Sequence, residues 1–102
     1  MTKIHNKLVR DLIPEIIKAN GQTAVIRTLD DQEYLTELVK KLHEECAEFT
    51  ADLSLEELAD VQEVVLALAE ALASRQELER VRAAKAARRG AFKDKLFLET
   101  TD

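Results

Sequence analysis

The sequence has few of the residues that usually stabilise or punctuate a small domain. Its 102 residues include one cysteine, one proline, two glycines and no tryptophan. A single cysteine excludes an intrachain disulfide and a cysteine-based zinc motif, and two histidines argue against a zinc centre of another kind. No apolar run approaches the roughly 20 residues that span a bilayer, and the first residues lack the apolar core of a signal peptide. The sequence therefore predicts a cytoplasmic protein without membrane partners.

Charge is divided unevenly along the chain. Residues 42–74 contain nine acids and neither Lys nor Arg, whereas residues 75–95 contain eight bases and three acids. A basic segment can contact nucleic acid, but a net charge of −5 and an aromatic content of 4% argue against a nucleic-acid partner. A small polyanion matches this division of charge better.

Apolar periodicity and capping signals predict an all-α fold with three helices. The first begins between Asp11 and Pro14 and ends at Asn20 and Gly21. The second covers about residues 31–52, and the third about residues 54–89. Short extended segments are expected near residues 23–29 and 92–99, and these two are candidates to pair with each other.

The third predicted helix is apolar on more than one face between Leu55 and Ala73. Such a helix must be covered on several sides, which two other helices cannot do. A chain of this length also buries only roughly 60 to 70% of its surface when it folds alone. We therefore expect one domain, residues 1–102, in which self-association as a homodimer or homotetramer completes a helical bundle.

Seven carboxylates crowd the eighteen residues 43–60. Repulsion between acids one turn apart sums to roughly 1 to 3 kcal/mol here, which is large against a total stability of about 5 to 15 kcal/mol. Two pairs with E-x-x-[ED] spacing, Glu45 with Glu48 and Glu57 with Asp60, lie on helices joined by a tight turn and would converge. Because hard oxygen ligands suit Mg²⁺ or Mn²⁺, this arrangement predicts a metal site.

A simpler interpretation exists for part of this stretch. Ser54 and Glu57 have the spacing of a capping box, in which the Glu57 carboxylate would bind the Ser54 backbone N–H. Glu56 and Glu57 also suit the positive end of a helix dipole. Spacing alone therefore leaves both a structural and a metal-binding role open for Glu57.

Several segments resemble a known family. KLHEECAEF, followed by EELADVQEVVLALAE, is similar to the E-E-x-x-E and E-x-x-D signature of the MazG-like nucleotide pyrophosphohydrolases. The opening N-K-L-V-R-D-x-I-P-E-I-I and the ending R-G-x-F followed by L-E resemble a small house-cleaning subgroup of that family. The resemblance spans nearly the whole chain.

That resemblance implies an all-α, oligomeric enzyme that uses Mg²⁺ to cleave a nucleoside triphosphate to a monophosphate and pyrophosphate. Glu45 and Glu48 match the first metal-binding acid pair, and Glu57 and Asp60 match the second. Glu44 matches the leading acid, so either Glu44 or Glu48 would accept the proton of the attacking water. The implied substrates are nonstandard nucleotides that are removed from the cell.

Basic residues must hold the phosphates of such a substrate. The candidates lie in the opening motif and near the end of the chain: Lys7, Arg10, Lys85, Arg89 and Lys93. Two alternatives remain open. One is the phosphoribosyl-ATP pyrophosphohydrolase reaction, and the other is a non-catalytic helical module for oligomerisation or nucleotide binding.

Overall fold

The computed structural model describes all 102 residues and contains four α-helices and no strand. The helices are α1 (Ile13–Ala19), α2 (Asp31–Ala51), α3 (Leu55–Leu72) and α4 (Arg75–Arg89). The all-α prediction is therefore confirmed. None of the four helices has the length and apolar character required to cross a membrane.

The predicted starts of α2 and α3 are confirmed by side-chain caps. Asp30 Oδ1 accepts a hydrogen bond from the Glu33 backbone N–H at 2.8 Å, and Ser54 Oγ accepts one from the Glu57 N–H at 3.2 Å. Each cap satisfies an N–H group that has no partner within its helix. Because only Asp52, Leu53 and Ser54 separate the two helices, α2 and α3 form a helical hairpin.

The prediction of a single third helix ending near residue 89 was wrong. The chain leaves the helix at Ala73 and starts α4 after Ser74, whose Oγ accepts a hydrogen bond from the Glu77 N–H at 3.0 Å. Ser74 and Glu77 repeat the S-x-x-E spacing found at Ser54, so a start signal was present in the sequence. Apolar periodicity that continued across the break obscured it.

The segments near 23–29 and 92–99 form no strand and do not pair. Two short segments without a third strand or a covering helix have little independent stability as a sheet, which explains why the predicted pairing was wrong. At the start of the second segment the Lys95 N–H instead closes a turn onto the Phe92 carbonyl at 3.3 Å.

The core of one copy lies between α2 and α3. Its fully buried apolar residues are Leu38, Val64 and Ala69. Helix α4 lies beside α3, and a groove of about 350 Å³ between them is lined by Gln62, Val65, Leu66, Arg75, Leu78, Glu79 and Arg82. Helix α1 packs on no other helix.

One copy of the chain leaves an unusually large surface in contact with solvent. Its accessible surface is 9445 Å², whereas a compact monomer of this mass exposes roughly 5,800 Å². Its radius of gyration is 18.0 Å, against about 13 Å for a compact domain of this length. Leu53, Leu55 and Leu72 are each more than two-thirds exposed. The α2–α3 hairpin is thus a framework whose apolar faces remain largely uncovered within one copy.

Candidate metal site between α2 and α3

Three carboxylates meet where α2 passes the first turns of α3. Glu45, Glu57 and Asp60 each offer one oxygen atom, and these three atoms lie within 4.8 Å of one another. The hairpin brings them together, because Glu45 is one and a half turns before the end of α2 and the other two follow closely on the Ser54 cap. Three of the four predicted metal ligands therefore form one group.

Glu45 is the most deeply placed acid of the chain. It is 8% exposed, and its Oε2 is buried without a hydrogen-bond partner. It follows Leu38 by two helical turns, so the buried face of α2 contains both residues. The sequence placed Glu45 at the edge of a stripe that included Cys46, but Cys46 is exposed. A buried charge without a partner is costly, which requires a compensating ligand or a proton.

The capping-box interpretation of Glu57 holds only in half. Ser54 caps the Glu57 N–H, but the Ser54 N–H binds the Asp52 carbonyl at 2.7 Å. The Glu57 carboxylate therefore does not close the box, and its Oε2 is buried without a partner. Its side chain is directed to the acid group instead of the helix end.

Both unpartnered carboxyls bind protons more strongly than usual. Burial raises the pKa of Glu45 above 4.5, and hydrogen bonding and repulsion from Glu48 raise it further, against a smaller opposing effect of Lys41. Burial also raises the pKa of Glu57, with repulsion from Asp60 and Asp52 as the next causes. Both shifts express the cost of holding negative charge at this position.

Metal-free protein should become more stable as the pH falls from neutrality towards 4.5. Because the folded pKa values of Glu45 and Glu57 are raised, the folded state binds more protons than the unfolded state in this window, and stability falls as pH rises through it. Urea unfolding at several pH values measures the effect. The Glu45→Gln variant should show a flatter profile, and an equally steep profile in that variant would contradict the assignment.

Three basic side chains surround the acids. Lys41 Nζ lies 3.5 Å from Glu45 Oε1 and 3.6 Å from Glu44 Oε1. Lys7 Nζ lies 3.8 Å from the same Glu44 oxygen. Arg10 Nη2 donates a hydrogen bond to Asp60 Oδ1 at 2.6 Å. The opening motif is therefore folded against the acid group.

The other predicted site residues lie apart from this group. Glu48 is exposed and is not one of the three converging acids, although its carboxylate influences the pKa of Glu45. Lys85 and Arg89 on α4, and Lys93 after it, are exposed and form no ion pair. Within one copy, only the two basic residues of the opening motif reach the acids.

The pairing of Arg10 with Asp60 could not be found from the sequence. Fifty residues separate the two, and no spacing rule connects an irregular segment to a helix at that distance. Arg10 was predicted to bind phosphate, and its contact with an acid of the proposed metal site is new information from the structure.

The fold and this group together define an all-α protein with a carboxylate cluster contributed by two helices of a hairpin. Oxygen donors without Cys or His suit a hard divalent cation such as Mg²⁺ or Mn²⁺, and the two buried, unpartnered oxygens of Glu45 and Glu57 are available to one. The residues present therefore fit the cation that the sequence predicted.

Comparison with known proteins adds one relative. A protein of Mycolicibacterium smegmatis (strain ATCC 700084 / mc(2)155), described as an uncharacterized protein, is 60% identical over 45 residues. The match covers 44% of this chain and 46% of that protein, so it spans less than half of the relative's length. No family model matches the chain, and no solved structure matches it.

Proposed function

We propose that the protein is a Mg²⁺-dependent nucleoside triphosphate pyrophosphohydrolase that releases a nucleoside monophosphate and pyrophosphate, with nonstandard nucleotides as its substrates. The observation that carries the proposal is the convergence of Glu45, Glu57 and Asp60 around a buried, unpartnered oxygen. The resemblance to MazG-like pyrophosphohydrolases supplies the reaction class.

The metal group has a chemical rationale. A bound Mg²⁺ would neutralise triphosphate charge, polarise a phosphoryl oxygen and activate a water molecule. Glu45, Glu57 and Asp60 would hold it, and Mn²⁺ would serve in its place. Glu48 stays exposed one turn after Glu45, which suits a carboxylate that accepts the proton of the attacking water. Glu44 is the second candidate for that role, but its carboxylate already faces Lys7 and Lys41.

The phosphate-binding role is divided by position. Lys7 and Arg10 are near the acids and about half exposed, so their charges can reach a triphosphate held there. Lys85, Arg89 and Lys93 belong to the basic part of the chain and have no acidic partner within one copy. We assign these three to the phosphates of a substrate bound in an assembled oligomer.

Turnover of a nucleotide panel tests the proposal. Pyrophosphate release should require Mg²⁺ or Mn²⁺, and the panel should include standard and damaged triphosphates together with phosphoribosyl-ATP. Glu57→Gln and Asp60→Asn should each reduce turnover about 100-fold or more, equivalent to about 2.7 kcal/mol of transition-state stabilisation. Glu63→Gln is the matched control, since Glu63 is an exposed acid of α3 without an ion pair; its turnover should stay within about twofold of wild type.

The outcomes separate the enzyme classes. Preference for phosphoribosyl-ATP would assign the alternative pyrophosphohydrolase reaction. Absence of metal-dependent product with every substrate, at a protein concentration where the chain is folded, would contradict the enzymatic proposal.

We also propose that a second copy of this chain covers the exposed apolar faces. The area argument supports it: the excess of roughly 3,600 Å² over a compact monomer is in the range that obligate dimers bury. The charge division supports the same partner, because the acidic part of one copy and the basic part of another complement each other in a two-fold arrangement. A homodimer is the smallest assembly that satisfies this, and two dimers would form a homotetramer.

The exposed apolar faces also favour a second candidate function. A non-catalytic helical module needs only these faces to oligomerise, and its acids would then be incidental. Tight nucleotide binding or self-association without turnover would select that function.

A further inference from the structure

The contact between Arg10 and Asp60 crosses the boundary between the opening motif and the acid group. Arg10 Nη2 lies 2.6 Å from Asp60 Oδ1, and Asp60 is one of the three acids that converge. Charge-assisted hydrogen bonds of this length are among the stronger contacts that a carboxylate forms. Asp60, unlike Glu45 and Glu57, therefore already has a cation.

The guanidinium occupies space and charge that a divalent cation would need. Mg²⁺ binds carboxylate oxygens at about 2.0 to 2.1 Å, so an ion held by Asp60 would lie only a few ångströms from Arg10 Nη2. Two positive groups at that separation repel each other, since a pair of unit charges at about 4 Å already interacts strongly near a protein surface. Cation binding to Asp60 and the present Arg10 contact oppose each other.

Arg10 is placed where it can leave. It precedes α1 in a segment without regular structure, and its side chain is 56% exposed. Lys41 differs in both respects: it belongs to α2 and its side chain is 17% exposed, so it stays beside Glu45. Of the cations on the converging acids, Arg10 is the one whose departure disturbs no helix.

We propose that Arg10 is a built-in counter-cation of the acid group, which a divalent metal ion displaces from Asp60 and which is thereby released towards the substrate phosphates. This inference deepens the proposed function and rests on its metal site. The buried, unpartnered Oε2 of Glu45, a residue that is 8% exposed, independently indicates that the group accepts a further ligand. Arg10 thus acts as a positioning residue that links metal binding to phosphate binding.

Metal affinity without nucleotide tests the exchange directly. Mn²⁺ binding is measured by electron paramagnetic resonance and by calorimetry for wild type, Arg10→Met and Arg27→Met. Arg27→Met is the matched control, because Arg27 pairs with Glu33 at 2.9 Å away from the acid group and its loss changes net charge equally. Arg10→Met should bind Mn²⁺ about tenfold more tightly than wild type, and Arg27→Met within about twofold of it.

Thermal unfolding supplies a second readout. Arg10→Met should lower the melting temperature of the metal-free protein, and saturating Mn²⁺ should raise that temperature more in the variant than in wild type. Arg10→Lys, which keeps the charge on a side chain without the planar fork, should lie between the two.

Each result decides the matter. Arg10→Met binding Mn²⁺ equally well, more weakly, or not at all would overturn the exchange. A tenfold gain in affinity without nucleotide turnover would support the exchange while contradicting the proposed enzyme, so the two proposals can fail separately.

Discussion

Glu45→Gln is expected to stabilise the metal-free protein and to abolish most of its stabilisation by Mg²⁺. The wild-type carboxylate is 8% exposed, has an unpartnered buried oxygen and lies beside the acids of α3. Glutamine has the same shape without the charge, and its amide can donate to those neighbouring carboxylates. Removing a buried group of this kind should add about 1 to 3 kcal/mol to the free energy of unfolding without metal.

The same change should remove a metal ligand. Mg²⁺ at about 100 times its dissociation constant stabilises a protein by about 2.7 kcal/mol, and we expect this gain to fall below about 1 kcal/mol in the variant. Chemical denaturation with Mg²⁺ and with a chelator measures both effects. The order of stability of wild type and variant should therefore reverse, or nearly so, between the two conditions.

Glu63→Gln serves as the comparison. It makes the same chemical change on α3 at an exposed position without an ion pair, so its stability should change by less than about 0.5 kcal/mol with or without Mg²⁺. A Glu45→Gln variant that is destabilised without metal would show that the Glu45 charge is satisfied in the folded protein, against the interpretation given above.

Leu72→Glu is expected to separate the copies of the chain. Leu72 ends α3 with 72% of its surface exposed and follows Leu58 and Val65 at intervals of two turns. Burying a leucine contributes about 1.5 to 3 kcal/mol, and two-fold symmetry repeats the loss in each copy. The dissociation constant of the dimer should rise at least about 100-fold.

Light scattering coupled to size exclusion measures the mass. Wild type should have at least twice the 11.5 kDa of one chain, and the variant should approach one chain at micromolar concentration. Thr36→Glu is the matched control, since Thr36 is exposed and lies about 160° around α2 from Leu38, away from the core. Circular dichroism verifies that helices remain. A monomeric wild type with full helix content would contradict self-association.

Local signals in the sequence predicted most of the fold, because each helix start is marked by a residue that satisfies backbone N–H groups. Asp30 and Ser54 fixed α2 and α3 within a residue or two, and Ser74 carried the same signal, hidden under continuing apolar periodicity. The convergence of Glu45 with Glu57 and Asp60 followed from spacing and a tight connection.

Contacts between distant segments could not be predicted in this way. The burial of Glu45 depends on how α2 is rotated against α3, and the apolar stripe through Cys46 gave a rotation about one residue away from the one observed. The contact of Arg10 with Asp60 joins an irregular segment to a helix, where no periodicity operates. Both features depend on tertiary packing, which overrides local pattern.

Only four of the 102 residues are buried within one copy, and this has a consequence for how the protein behaves at different abundances. With a second copy as the cover, folding and assembly become one equilibrium, and the folded fraction depends on the total amount of chain. Output would then rise more steeply than in proportion to synthesis. A cell that makes little of the protein would hold it mainly as unprotected single chains open to proteolysis, so that abundance itself would act as a threshold for activity.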